Sequence, residues 1–124
     1  MASTILIADD ESHILNVVSL KLRNAGFEVV TARDGGEALA KARELSPAMV
    51  ITDFHMPVLN GVELCRRLRK DPKAPNVPAI LLTARGNETT QAELEAGGIV
   101  EVVSKPFSPR LLLEAVQRHL QAAA

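Results

Sequence analysis

Five short apolar runs recur along this sequence, and a stretch with helical spacing follows each one. They are Thr4-Ile5-Leu6-Ile7-Ala8, Glu28-Val29-Val30-Thr31-Ala32, residues 48–53, Ala79-Ile80-Leu81-Leu82-Thr83 and residues 99–103. Each is the length of a strand. The runs are apolar on both faces, so both faces must be covered, which argues for a parallel sheet between two layers of helices. Right-handed crossovers then make the fold doubly wound, an α/β architecture. At 124 residues the chain is the size of one domain, with no internal repeat and no interdomain linker.

The segments between the runs read as helices. Ile14, Leu15, Val18 and Leu22 recur at spacings of three and four, with Asp10 or Ser12 near the start as a cap and Ala25-Gly26 as the stop. Asp34 followed by Glu37 resembles a capping box. It precedes a stripe of Ala38, Leu39, Ala42 and Leu45 that Ser46-Pro47 ends. After Asn60-Gly61 the inward positions are Val62, Leu64, Cys65 and Leu68. Arg66, Arg67, Arg69 and Lys70 point mostly outward, which reads as a solvated helix face. Residues 71–78 carry three prolines and form a loop. The fourth helix, about residues 88–95, has Leu94 as its only large apolar residue, a thin face to hold a helix down. Ser108 caps the last helix, Pro109 opens it, and Leu112, Ala115, Val116 and Leu120 face inward. His119 reads as a surface residue, and the alanine-rich end as a helix that frays.

Charge and cysteine content narrow the function classes. The formal net charge is −1 with no basic excess, so neither nucleic acid nor an anionic membrane is expected as a direct ligand. A lone Cys65 forbids an intramolecular disulfide and reads as a small core residue. No apolar run approaches membrane-spanning length, and the first residues lack the basic region of a signal peptide. The expectation is a soluble cytoplasmic domain.

The third run carries the sharpest local constraint. It stops at Asp53 and is followed by Phe54-His55-Met56-Pro57, so a carboxylate sits where a buried strand leaves the core. In a doubly wound sheet ligands bind beyond the carboxyl ends of the strands. Four of those ends are chemically loaded: Asp9-Asp10, Asp53, Thr83-Ala84 and Lys105. Two unit charges about 4 Å apart repel by about 4 kcal/mol at an effective dielectric of 20. Three carboxylates in one crevice therefore call for a cation, and an all-oxygen donor set suits Mg²⁺. The charges balance, because Mg²⁺ with Lys105 offsets the three acids. A phosphoryl group added to Asp53 would sit beside both cations. The Thr83 hydroxyl and a backbone N–H near Ala84 could then donate to its oxygens. A zinc site using His55 and His13 is the alternative, but their spacing follows no zinc motif.

This set of strand ends closely resembles the response-regulator receiver domain. The marks are Asp-Asp-Glu after the first strand, Asp53 followed by Met56-Pro57, Thr83-Ala84 after the fourth, and Lys105-Pro106-Phe107 after the fifth. The resemblance covers essentially the whole chain. It implies the flavodoxin-like receiver fold in strand order 2-1-3-4-5, as a single receiver domain over residues 1–124 with no output domain among them. Asp53 is then the phosphoacceptor, taking a phosphoryl group from a histidine kinase, a phosphotransfer protein or a small phosphodonor. Asp10 is the direct Mg²⁺ ligand, Asp9 acts through water, and the His55 carbonyl completes the protein's ligands. Lys105 pairs with Asp53 and then with the phosphoryl group, and Thr83 swings toward it. The Lys105–Pro106 peptide is cis.

Such a domain is not a conventional enzyme, but it catalyses its own phosphorylation and dephosphorylation. It acts as a two-component switch toward a downstream protein or output domain. The rival readings are a phosphorylation-silent interaction module of the same fold and a small Mg²⁺-dependent phosphatase.

Two features depart from the family. Val102 stands where an aromatic residue usually relays the motion of the threonine. The expected relay therefore runs through the loop after Thr83 and the thin helix beyond it. Val100 replaces a common acid, so the last strand and helix present a candidate partner or homodimer surface. His55, facing solvent, is expected to tune the lifetime of the phosphoryl group, and Arg85, near the crevice mouth, to screen the crevice from water.

Overall fold

The computed structural model describes residues 3–72, 77–84 and 89–123, with side chains described through residue 120. Strand and helix alternate throughout: β1 Thr4–Ala8, α1 Ser12–Asn24, β2 Glu28–Ala32, α2 Gly35–Leu45, β3 Met49–Asp53, α3 Gly61–Lys70, β4 Ala79–Thr83, α4 Gln91–Ala96, β5 Ile99–Ser104 and α5 Pro109–Ala123. The five strands form one parallel sheet in the order β2-β1-β3-β4-β5, the order the resemblance implies.

Alternation along the strands divides the core into two layers. Ile5, Ile7, Met49, Ile51, Ile80 and Leu82 pack with Leu15, Val18 and Leu22 of α1 and with Leu112, Ala115 and Val116 of α5. Leu6, Ala8, Val50, Ala79 and Leu81 pack on the other face with Ala38 and Ala42 of α2 and Val62, Leu64, Cys65 and Leu68 of α3. Every residue of β3 and β4 is buried, which is why those runs carry no polar alternation. Burial raises the Cys65 thiol to about 12, which makes it inert packing.

Several local expectations need correction. Neither Asp10 nor Ser12 caps α1: Glu11 occupies the cap position without a side-chain bond, and the Asp9 carboxylate instead accepts the Glu11 N–H at 2.9 Å. Asp34 caps α2 by accepting the Glu37 N–H. Glu37 reaches past it to the Arg33 N–H, so the box closes one residue early. Leu45 is exposed, because the helix ends there with Ser46 in the left-handed region. His119 is half-buried and lies 2.7 Å from Glu101, which also receives Arg118. Burial alone would raise the Glu101 carboxyl, but those two hydrogen bonds hold it below its usual value.

The thin fourth helix is as short as its face suggests. None of its residues is buried, Leu94 only partly, and a capping box of Thr90 with Glu93 closes its start. Asn60 and Glu63 form a second box at the start of α3. Arg66, Arg67, Arg69 and Lys70 are exposed as expected, and Ser108 accepts the Leu111 N–H at the start of α5.

Candidate functional site

The crossovers from β1 and from β3 leave toward opposite faces of the sheet, α1 to one layer and α3 to the other. A crevice therefore opens beyond the carboxyl ends of these neighbouring strands. Asp9 follows the last residue of β1 and Asp53 is the last residue of β3. Both are buried, Asp9 completely. Asp10, next along the loop, is exposed. One carboxylate oxygen from each of the three lies within 4.8 Å of the others. The acids expected to share a crevice do share one.

Lys105 reaches this cluster from two strands away. Its backbone N–H bonds the Thr83 carbonyl at 2.8 Å, tying the β5 exit to the end of β4, and the Lys105–Pro106 peptide is cis. The Lys105 ammonium lies 3.1 Å from Asp9 Oδ2 and 3.2 Å from Asp53 Oδ1. The pairing with Asp53 is the expected one. The equally short contact to Asp9 is new, as is a third carboxylate, Glu11 Oε1, at 3.6 Å. Sequence reasoning gave Glu11 no role beyond its place in Asp-Asp-Glu. Its one signal was adjacency to the acids.

The surroundings set the charges. Burial raises the Asp53 carboxyl above its usual value, the charge on Asp9 adds to that, and Lys105 opposes it. Burial raises Asp9 as well, against the Glu11 N–H and Lys105. Burial disfavours the Lys105 ammonium, yet its carboxylate partners outweigh this and raise it. One ammonium thus leaves the acids under-compensated, which is the condition that favours a bound cation. Three carboxylates converging with oxygen donors alone fit a hard divalent ion such as Mg²⁺. Among the described residues no histidine joins the group, which removes the support for a zinc site.

Thr83, Ala84 and His55 stand at or just beyond the ends of the neighbouring strands β4 and β3. Thr83 is buried at the end of β4 and Ala84 is exposed beyond it. His55 is exposed, its ring edge-on to Phe54 with centroids 4.7 Å apart. Arg85 lies outside the described residues.

The loop from Asp53 into α3 is tightly held. Its backbone bonds run from Phe54 N–H to Leu82 and from Gly61 N–H to Phe54. A β-carbon at Gly61 would collide with the Asp53 carbonyl oxygen, so glycine lets α3 begin against the strand end. The Pro57 carbonyl accepts from both Leu59 and Gly35, leaving Val58 at a φ of 75°. Beside Lys105 a half-open groove of about 540 Å³ runs between α1 and the β5–α5 loop, walled by Ile14, Val17, Pro106 and Phe107.

Comparison with known proteins agrees with this geometry. The family model described as response regulator receiver domain matches residues 5–117. The phosphate regulon transcriptional regulatory protein PhoB of Rhizobium meliloti is 37% identical over 123 residues, covering 99% of this chain and 54% of that protein. The alkaline phosphatase synthesis transcriptional regulatory protein PhoP of Bacillus subtilis is 35% identical over 127 residues, covering 100% of this chain and 52% of that protein. The chain thus spans about half the length of these curated relatives. Among solved structures, the chemotaxis response regulator CheY4 of Vibrio cholerae superposes with a TM-score of 0.87 at 36% identity, covering 95% of this chain and 98% of that one. A CheY-like receiver domain protein from Methanospirillum hungatei gives 0.90 at 29% identity, covering 98% and 96%.

Proposed function

The chain belongs to the response-regulator receiver family, and from that premise we propose that Asp53 is the residue through which it receives a phosphoryl group. It is a receiver domain of the two-component type, a phosphorylation-dependent signalling switch. The observation that carries the reading is the Lys105 ammonium held between Asp9 and Asp53 at 3.1 and 3.2 Å, beside the three-carboxylate cluster.

A carboxylate oxygen of Asp53 attacks phosphorus in line, and the bond from phosphorus to the donor breaks. The donor is a phosphohistidine nitrogen of a kinase or phosphotransfer protein, or a small acyl phosphate. The product is an acyl phosphate on Asp53. Asp9, Asp10, Asp53 and the His55 carbonyl would hold Mg²⁺, which when bound neutralises charge developing on the phosphoryl oxygens. Lys105 leaves its carboxylate partners for a phosphoryl oxygen. The Thr83 hydroxyl and the Ala84 N–H donate to the others. Hydrolysis reverses the modification, with water as nucleophile.

Movement of Thr83 and its loop shifts an equilibrium between two surfaces that a downstream protein or output domain distinguishes. A further copy of this chain is one such partner, through the face of β5 and α5. No helix of the described residues is long and apolar enough to cross a membrane, in keeping with work in the cytoplasm.

Intact mass after incubation with Mg²⁺ and acetyl phosphate tests the reading. One added phosphoryl group is expected, and Asp53→Asn abolishes it. No addition would favour a silent interaction module of the same fold. Turnover of unrelated phosphomonoesters would favour a phosphatase.

A further inference from the structure

Glu11 is a fourth carboxylate at the crevice, placed unlike the other three. It stands outside the cluster of Asp9, Asp10 and Asp53, yet its Oε1 lies 3.6 Å from the Lys105 ammonium. Asp9 is fully buried, whereas the Glu11 side chain is 59% exposed. Glu11 holds the cap position of α1, but its side chain makes no cap bond, and its N–H is given to Asp9. The backbone therefore serves the cluster while the carboxylate is left to the lysine. Glu11 also walls the groove beside Lys105, so it approaches the ammonium from the groove rim.

We propose that Glu11 is a positioning residue that restrains Lys105 at the crevice mouth and so slows the approach and transfer of an anionic phosphodonor. The inference rests on the reading of Asp53 as phosphoacceptor and adds a residue that sets its rate. Four carboxylates against one ammonium leave the mouth at −3, or −1 with a divalent cation bound. A phosphodonor enters this field as an anion and must recruit Lys105 from the partners it already has. Lysine is a point charge on a flexible stem, so its position follows the balance of surrounding carboxylates. At 3.6 Å Glu11 acts on it by charge more than by hydrogen bonding. Water screens so exposed a pair, which limits the effect to about two- to fivefold in rate.

Two substitutions separate the parts of this role. Glu11→Gln removes the charge, and Glu11→Asp keeps it while withdrawing it from Lys105 by one methylene. Both retain the backbone bond to Asp9. Phosphorylation of the whole chain by acetyl phosphate with saturating Mg²⁺ is followed by intact mass over a range of donor concentrations. Glu11→Gln is expected to raise the maximal rate and lower the half-saturating donor concentration, each about two- to fivefold. At about 1 M salt both effects are expected to shrink, the second more than the first. Glu11→Asp is expected to raise the maximal rate alone. Failure of the unsubstituted chain to take up phosphate would overturn the assignment of Asp53 and the proposal with it. A labelled wild type with both variants at its rate would overturn the proposal alone. So would variants slower than wild type, because they would make the contact a supporting one.

Discussion

At the residue scale, Asp53 sits in a place that resists ionisation. Burial and the neighbouring Asp9 raise its carboxyl above the usual range. A raised acid binds its proton more tightly in the folded protein than in the unfolded chain. Its contribution to stability is therefore fully present below the unfolded value and is lost as pH rises through the folded one. A charge on Asp53 at neutral pH therefore costs stability, a cost in keeping with its proposed role as phosphoacceptor. Asp53→Asn is expected to raise stability at pH 7 by about 1–2 kcal/mol without Mg²⁺, on the scale of a buried charge left partly compensated. The gain should shrink as pH falls from 7 toward about 4, because the raised native carboxyl takes up its proton before the unfolded one does. Thermal melts at the two pH values measure it; an equal gain at both would place the effect in packing instead. That Asp53, Asp9, Asp10 and Lys105 would meet was legible from their strand ends. How the ammonium divides among Asp9, Asp53 and Glu11 was not, because a four-carbon stem has no position until its neighbours are in place.

Among the elements, the loop between β3 and α3 holds the clearest strain. Val58 is β-branched, 76% exposed and fixed at a φ of 75° by the bond from Leu59 N–H to the Pro57 carbonyl, a γ-turn of the rarer, positive-φ kind. Such a residue costs about 1–3 kcal/mol, and glycine loses part of that gain through the freer unfolded chain. Val58→Gly is expected to stabilise the domain by about 1 kcal/mol, read as a raised denaturant midpoint at unchanged slope. Nothing in the local sequence announces this turn, since proline followed by a β-branched residue reads as extended chain. The opposite case is α4, whose weakness was visible in its single large apolar residue, Leu94. Val102 is half-buried against the α2–α3 layer with no ring to swing, so α4 is the element expected to carry the signal from Thr83. Amide resonances of residues 91–96 should shift, and their slow exchange change, on adding a beryllofluoride phosphoryl mimic. An unmoved α4 would send the relay elsewhere.

For the molecule as a whole, the unsettled surface is the one made by β5 and α5. Val100 is 45% and Leu111 57% exposed on these two elements, while Glu101, Arg118 and His119 bind α5 to the strand. If this face pairs with a second copy on phosphorylation, the mimic with Mg²⁺ should double the mass seen by light scattering. Leu111→Glu should prevent that without lowering phosphorylation of Asp53.

The architecture follows from local patterns along the chain. Five doubly apolar runs separated by amphipathic stretches admit few arrangements other than a covered parallel sheet, and periodicity is a local property that needs no coordinates. The same patterns also determine which side chains reach one edge of that sheet, because each stands where a run ends. What those side chains do to one another depends on the folded packing. The 3.6 Å between Glu11 and Lys105 and the 3.1 Å between Lys105 and Asp9 each depend on segments far apart in sequence meeting in space. No pattern in the chain records where a lysine that can reach three carboxylates comes to rest.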